Sequence, residues 1–427
     1  MNIAMLSYHT CPLATLGGKD TGGMNVYVAE LTRNLGYLGV HVDVFTRSQD
    51  EHVPHVLHNL GYGNRVVHIP AGPEFYLPKA EIVNYIPQFV DGIREFAAQK
   101  NIHYDIIHSH YWMSGMAAEQ LKKVWKAPIV HMFHTLAAMK NRIARAPEER
   151  ESDTRLEGEQ RILKFADQII VATIAEQAQL EFLYRANSRK LRVIPPGVDL
   201  SRFYPIPKDE AKAVIGVPQD DRLILYVGRI EPLKGIDTLL RALAQMQMEA
   251  AAECCPHSLV IIGGDPEATQ EAMNSEMARL QRLAAELGIK DLVLFLGKRS
   301  QDSLPYYYSA ADVVVVPSHY ESFGMVALEA MACGVPVVAS QVGGLAFLVK
   351  DGETGFVIPD NEPDLLADRL IDILQNQDLQ ARLGKQGELA ARDYSWDKIA
   401  ARMYTVYEDL LRLKIDLPGT HPLSQAI

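Results

Sequence analysis

Cysteine is scarce. The four in 427 residues are Cys11, Cys254, Cys255 and Cys333. They show no metal-ligand spacing, and the adjacent Cys254 and Cys255 are poorly suited to bridge each other. This excludes a disulfide framework and a thiolate zinc site, and points to free thiols in a reducing compartment. Long apolar runs are missing as well. None approaches the ~18 residues of a membrane span. The opening Met-Asn-Ile-Ala-Met-Leu-Ser has neither a basic region nor a long apolar core, so no secretory signal is expected. A cytoplasmic setting is the expectation. A basic surplus is also absent: 42 Lys and Arg face 53 Asp and Glu, for a net charge of -11. Residues 1–199 hold 21 of each sign, so the whole imbalance lies in the second half. Neither half is built for nucleic acid or an anionic lipid surface.

What is present is a globular composition, 48% hydrophobic and 22% charged. The length suggests two domains. Ile3 to Ser7 reads as a buried strand. A loop with Gly17-Gly18 and Gly22-Gly23 follows, then a helical pattern over 24–38 and a strand at Val42–Phe45. Further strands read at 66–69, 106–108, 129–131, 168–172 and 191–194. Helical segments fall near 84–99, 114–124, 155–166 and 175–184. Such alternation predicts an α/β fold with a mainly parallel sheet and helices on both faces. Pro195-Pro196-Gly197 breaks it, and the chain to Pro207 reads as loop. The pattern then restarts, with strands at 223–227, 259–262, 293–295, 313–316, 337–339 and 356–358. Helices read near 235–248, 270–287, 302–309, 325–332, 362–374, 377–391 and 395–413. The expected division is 1–200, 201–394, and a terminal helix with a loose tail over 395–427.

One stretch carries a chemical signature: His319-Tyr-Glu321-Ser-Phe-Gly-Met-Val-Ala-Leu-Glu329. It reads as strand, turn and helix. Ser322, Phe323 and Gly324 put unpaired backbone N–H groups at a helix N-terminus, which favours a diphosphate. Glu321 and Glu329 could each accept from a vicinal diol of a sugar or ribose. Earlier in the same half, Arg229 and Lys234 bracket a turn after a strand. Cations there suit a diphosphate, because ligands bind at the carboxyl edge of open α/β sheets. The first glycine turn is Gly-Gly, not Gly-x-Gly-x-x-Gly, which argues against a nicotinamide dinucleotide. Histidines 108, 110, 131 and 134 cluster without a supporting Cys or carboxylate pattern, so no metal site is expected.

Arg229-x4-Lys234 with the paired glutamates resembles the family-four retaining glycosyltransferases. Gly343-Gly344 and Asp351-Gly-Glu-Thr-Gly355-Phe fit that pattern. The resemblance implies a GT-B fold, two Rossmann-like domains facing a cleft with the C-terminal helix crossing back to the first. It implies donor binding by Gly23, Arg229, Lys234, Arg299, Glu321, Ser322, Phe323, Gly324 and Glu329. Catalytic roles would fall to Arg229, Lys234, Glu321 and His134. His9-Thr10, Asp20-Thr-Gly-Gly-Met-Asn25, His108-Ser-His-Tyr111-Trp-Met-Ser-Gly, His131-Met-Phe-His134-Thr135-Leu and Arg155 with Gly158-Glu159-Gln160 are similar to members that glycosylate an inositol phosphate. That likeness implies an acceptor phosphate held by Lys79, Tyr111, Thr135 and Arg155, and an acceptor ring facing His9, Gly22, Met24 and Asn25. The implied partners are a nucleotide-sugar donor and a phosphorylated polyol or sugar acceptor; no nucleic acid and no membrane span are expected, and a homodimer stays open. No catalytic metal is required, since protein cations face the diphosphate; Mg2+ stays open in a non-catalytic role. Ala14-Thr15-Leu16 departs from the polar segment expected beside the base, which leaves the nucleotide open. Sucrose-phosphate synthases share the architecture but typically place Gln after the Gly-Gly, where Met24-Asn25 stands here. A nucleotide-sugar epimerase and a non-catalytic sugar-nucleotide binder are the more distant alternatives.

Overall fold

The structure is a computed structural model and describes residues 1–14, 21–144, 147–249, 257–264 and 275–415. The loop at 15–20, Cys254 and Cys255, the start of the helix read at 270–287 and the tail from 416 lie outside the described residues.

The chain divides into two compact units. One comprises Met1–Ala14, Met24–Ile194 and Trp396–Ile427; the other comprises Thr15–Gly23 and Pro195–Ser395. In the first, the strands are β1 (Asn2–Leu6), β2 (His41–Arg47), β3 (Val56–Leu57), β4 (Arg65–Ile69), β5 (Ile106–His110), β6 (Ile129–Met132), β7 (Gln168–Val171) and β8 (Leu191–Val193). Helices α1 (Gly23–Tyr37), α2 (Lys79–Ile82), α3 (Ile86–Lys100), α4 (Tyr111–Trp125), α5 (Ala137–Ile143), α6 (Asp153–Phe165) and α7 (Ile174–Tyr184) connect them. The sheet order is β3-β4-β2-β1-β5-β6-β7-β8, parallel except for the short edge strand β3. Burial on both faces explains why β1 and β7 carry continuous apolar runs rather than an alternating pattern, and β5 and β6 are buried throughout even where they carry His and Ser.

The second unit starts with α8 (Lys208–Ile215), which the reading of the sequence left unassigned. Its sheet order is β11-β10-β9-β12-β13-β14, parallel throughout. These strands are β9 (Arg222–Val227), β10 (His257–Ile262), β11 (Val293–Gly297), β12 (Val313–Val316), β13 (Val337–Ser340) and β14 (Gly355–Ile358). The helices are α9 (Ile236–Glu249), α10 (Ser275–Glu286), α11 (Leu304–Ala310), α12 (Met325–Ala332), α13 (Leu345–Leu348), α14 (Pro363–Gln375) and α15 (Gln377–Ala391). The last helix, α16 (Trp396–Ile415), belongs to the first unit. Tyr407 Oη lies 2.7 Å from His108 Nδ1, and the Trp396 ring packs edge-on against Tyr27. Among the described residues no helix is long and apolar enough to cross a membrane.

In each sheet the strand order reverses direction at one point. That point lies between β1 and β5 in the first unit and between β9 and β12 in the second. The crevice outside the carboxyl ends of such a pair is where open α/β sheets take ligands.

Candidate active site

In the first unit, residues from four distant places in the sequence come together at the carboxyl ends of the strands. His9 follows β1, Lys79 begins α2 beyond β4, Tyr111 follows β5, and Thr135 lies beyond β6. Arg155, on the first turns of α6, completes the group. Its Nη2 donates to Thr135 Oγ1 at 3.0 Å and to the Thr135 carbonyl at 2.8 Å. Its guanidinium carbon lies 4.7 Å from the Tyr111 ring centre. Lys79 Nζ is 5.5 Å from the same ring, and the His9 ring centre 4.5 Å from it. Tyr111 is therefore the hub, and its backbone is unusual: φ is +70°, a left-handed conformation for a bulky residue. His134 shares this trait at +62°. Strain of this kind persists only where the surroundings enforce it, and it clusters at functional sites.

Two close approaches set this geometry. A Cβ on Gly115 would fall 2.4 Å from Ile162, and one on Gly158 would fall 2.9 Å from Trp112. These glycines let α4 and α6 pack closely, which brings Arg155 beneath Tyr111. Although it lies in a stretch rich in charges of both signs, Arg155 is only 1% exposed. Its charge is balanced locally: Nε donates to Glu159 Oε1 at 2.8 Å, and Nη1 is 2.8 Å from Glu151 Oε1. Burial opposes the charged form, but Tyr111, Glu159 and Glu151 outweigh it and raise the Arg155 pKa. Lys79 is held indirectly. Buried Arg47 donates to the carbonyls of Ala71, Pro73 and Phe75, and Tyr8 Oη donates to the Ile82 carbonyl. Together they fix the segment on either side of Lys79, which begins the short helix α2.

Asn25 is buried, and its Nδ2 donates to Thr10 Oγ1 at 2.8 Å and to the Cys11 carbonyl at 2.7 Å. It thereby ties α1 to the loop after β1. The Met24 side chain packs against the apolar core. His134 Nε2 lies 3.0 Å from His110 Nδ1, and burial pushes its pKa down to about 3, so the ring is neutral at ordinary pH. Among the described residues, no group of three or more His, Cys, Asp and Glu is arranged to hold a metal ion.

In the second unit, Arg229 follows β9 and Glu321 follows β12, the two strands at the reversal point. Lys234 Nζ and Glu321 Oε2 are 2.5 Å apart. Arg229 Nη1 donates to Glu231 Oε1 at 2.6 Å. The segment Thr15–Gly23 groups with this unit, and a Cβ on Gly22 would fall 3.9 Å from Arg229 Nε, one on Gly23 3.1 Å from Met325 Sδ. The turn at 321–324 is braced from outside. Gly344 N donates to the Glu321 carbonyl at 3.0 Å, and a Cβ on Gly343 would fall 1.8 Å from that same oxygen. Any side chain there would push the turn away. Gly324 caps α12 with φ +105°, so the helix opens with free amide donors behind Ser322 and Phe323. The Phe323 ring itself is buried, 5.9 Å from Tyr394, which leaves its backbone as what it offers a ligand.

Glu329 lies on α12 and is 8% exposed. It accepts from Tyr308 Oη at 2.7 Å, and burial pushes its pKa up to about 7. Arg299 is held by α11 and by its own loop: Nε donates to Tyr307 Oη at 3.0 Å and Nη1 to the Lys298 carbonyl at 2.9 Å.

Comparison with known proteins shows the family and the fold. Residues 21–202 match the family model described as Glycosyltransferase Family 4, and residues 207–390 match Glycosyl transferases group 1. A D-inositol 3-phosphate glycosyltransferase of Thermomonospora curvata is 41% identical, over 95% of this chain and 94% of the relative. The chain belongs to this glycosyltransferase family. A second relative with the same name, from Corynebacterium jeikeium, is 40% identical over 96% of this chain and 97% of its own. Among solved structures, a sucrose-phosphate synthase from Thermosynechococcus elongatus superposes with a TM-score of 0.87 at 36% identity, covering 96% of this chain and 99% of that one. The α/β architecture with two parallel-sheet domains is that of the GT-B glycosyltransferases.

The sequence reading did not assign roles to Glu151, Glu159, Tyr307 and Tyr308, each a partner of a predicted residue. A signal existed for two of them. Glu151 and Glu159 stand four residues on either side of Arg155; on α6 this spacing puts Glu159 on the same face as Arg155, while Glu151 lies just before the Ser152 N-cap.

Proposed function

We propose that this glycosyltransferase is a retaining enzyme that moves a sugar, GlcNAc or glucose, from a UDP-linked donor to a phosphorylated acceptor of the myo-inositol phosphate class. The observation that carries this reading is the convergence of Lys79, Tyr111, Thr135 and Arg155. Two cations and two hydroxyls in one cluster form a site for a compact dianion. The names of the relatives favour the same acceptor class. On the donor side, Arg229, Lys234 and the amide donors at the start of α12 are suited to the charge that develops on a leaving diphosphate. His134 is neutral and donates or accepts without a net charge, as a contact to a sugar hydroxyl requires. The reading takes transfer to proceed on one face of the sugar, with the leaving phosphate assisting deprotonation of the incoming hydroxyl.

A second reading, sucrose-phosphate synthase acting on fructose 6-phosphate, is favoured by the 0.87 TM-score to such an enzyme. Mass spectrometry of products from a matrix of nucleotide sugars and acceptors tests both. An inositol-phosphate glycoside supports the first reading, and sucrose phosphate the second. Donor turnover without any acceptor product would overturn both.

Glu329, as the group gripping the donor ribose, contributes about equally in ground and transition states. Glu329→Gln should therefore raise the apparent KM for donor with little loss of kcat. Its pKa of about 7 adds a pH signature. Below that value the side chain is protonated and grips a diol less well. Donor KM should then fall as pH rises through about 7 in the wild type and stay flat in Glu329→Gln. A large fall in kcat at unchanged donor KM would show a chemical role instead.

A further inference from the structure

Glu151 sits between two cations, Arg155 of the acceptor cluster and Lys140 of α5. Its Oε1 lies 2.7 Å from Lys140 Nζ and 2.8 Å from Arg155 Nη1. The other edges of the Arg155 guanidinium are fixed by directed hydrogen bonds, Nε to Glu159 and Nη2 to Thr135. Nη1 is buried and has the ion pair with Glu151 but no directed hydrogen bond. So Glu159 and Thr135 set the orientation of the guanidinium, and Glu151 occupies the remaining edge.

The two carboxylates differ in kind. Glu159 is fully buried and accepts from Arg155, from the backbone N–H of Ala137 and from Tyr184 Oη. It is a permanent counter-ion. The Glu151 side chain is 23% exposed, so it can turn toward water. Its backbone is anchored separately, since its N–H donates to Asn141 Oδ1 at 2.7 Å. The side chain can therefore leave without unfolding the segment that carries it.

We infer that Lys140 and Glu151 belong to the acceptor-anion site: Glu151 holds the anion's seat on Arg155 and Lys140 in the empty protein, and the acceptor phosphate exchanges with it. Lys140 then serves as a third cation beside Lys79 and Arg155. With Glu151 in place, three cations and two carboxylates leave a single net positive charge. With Glu151 turned out, two positive charges face the ligand and match a phosphate dianion. A monoanion gains little by replacing another monoanion, and a neutral hydroxyl cannot replace it at all. The exchange thus makes Glu151 a specificity determinant for dianions. It rests on the phosphorylated-acceptor reading.

The test measures binding of inorganic phosphate to the full chain by calorimetry, and KM for myo-inositol phosphate, in wild type, Glu151→Gln, Glu151→Ala and Lys140→Met. Removing the competing carboxylate should tighten phosphate binding up to about fivefold in both Glu151 variants, the scale of a partly exposed ion pair. KM for the phosphorylated acceptor should fall in step. Lys140→Met should weaken phosphate binding by about tenfold or more, the scale of a lost charge-assisted hydrogen bond. Phosphate binding that is unchanged or weaker in both Glu151 variants overturns the exchange and makes Glu151 a brace for Arg155. Failure of the acceptor reading looks different: phosphorylated acceptors would not be substrates, while inorganic phosphate would still respond to Glu151 and Lys140 as expected.

Discussion

Arg155→Ala is expected to erase most of a roughly thousandfold preference, in kcat/KM, for a phosphorylated acceptor over its free polyol. Each charge-assisted hydrogen bond contributes on the order of 1.5–3 kcal/mol, so two or three of them account for that ratio. Binding energy from this non-reacting group can be used to organise the reacting centre, so the loss should appear in kcat as well as KM. The packing around Arg155 complicates the variant. Glu159, fully buried, would lose its counter-ion, and breaking a buried pair destabilises by about 3–5 kcal/mol. The double variant Arg155→Ala/Glu159→Gln removes the charge without stranding the carboxylate. Lys79→Met is a companion at a less buried position and should reduce the same preference. Rates on phosphorylated and free acceptor, measured for all three, check the expectation. An undiminished preference in Lys79→Met and in the double variant would remove these residues from the phosphate site.

Lys234→Ala and Arg229→Ala should each lower turnover by about a hundredfold or more at saturating donor, the scale of losing one group that stabilises developing charge. Both cations stand beside carboxylates, Lys234 with Glu321 and Arg229 with Glu231. Neither pair is fully buried, so these variants should fold, and thermal melts would confirm it. The effect should fall on kcat rather than on donor KM, because the charge on the leaving diphosphate grows only as the bond breaks. A variant that keeps near-wild-type turnover would refute the assignment.

The two α/β units and most strands were legible because strands buried on both faces carry dense apolar runs such as Val313–Val316. Strand order was not. Periodicity says that a segment is a strand, not which strand lies beside it. The neighbourhood of β9 and β12, which puts Arg229 and Glu321 at one reversal point, came only with the sheet. Short elements were also missed. α2 and α13 have four residues each, too few to display a helical period, and the seven-residue α5 was missed with them. Helix α8 was lost because Pro207, read as the end of a loop, is in fact its N-cap. The burial of Arg155 was not legible. A charged run normally signals a wet face, and here neutralisation by Glu151 and Glu159 lets the arginine enter the interior.

Everything proposed for the first unit turns on whether the acceptor carries a phosphate. The direct measurement is kcat/KM of the wild type on myo-inositol phosphate, free myo-inositol, fructose 6-phosphate and free fructose, with one nucleotide-sugar donor. The expected result is that myo-inositol phosphate exceeds free myo-inositol by roughly a thousandfold. Equal use of the free and phosphorylated forms would contradict it.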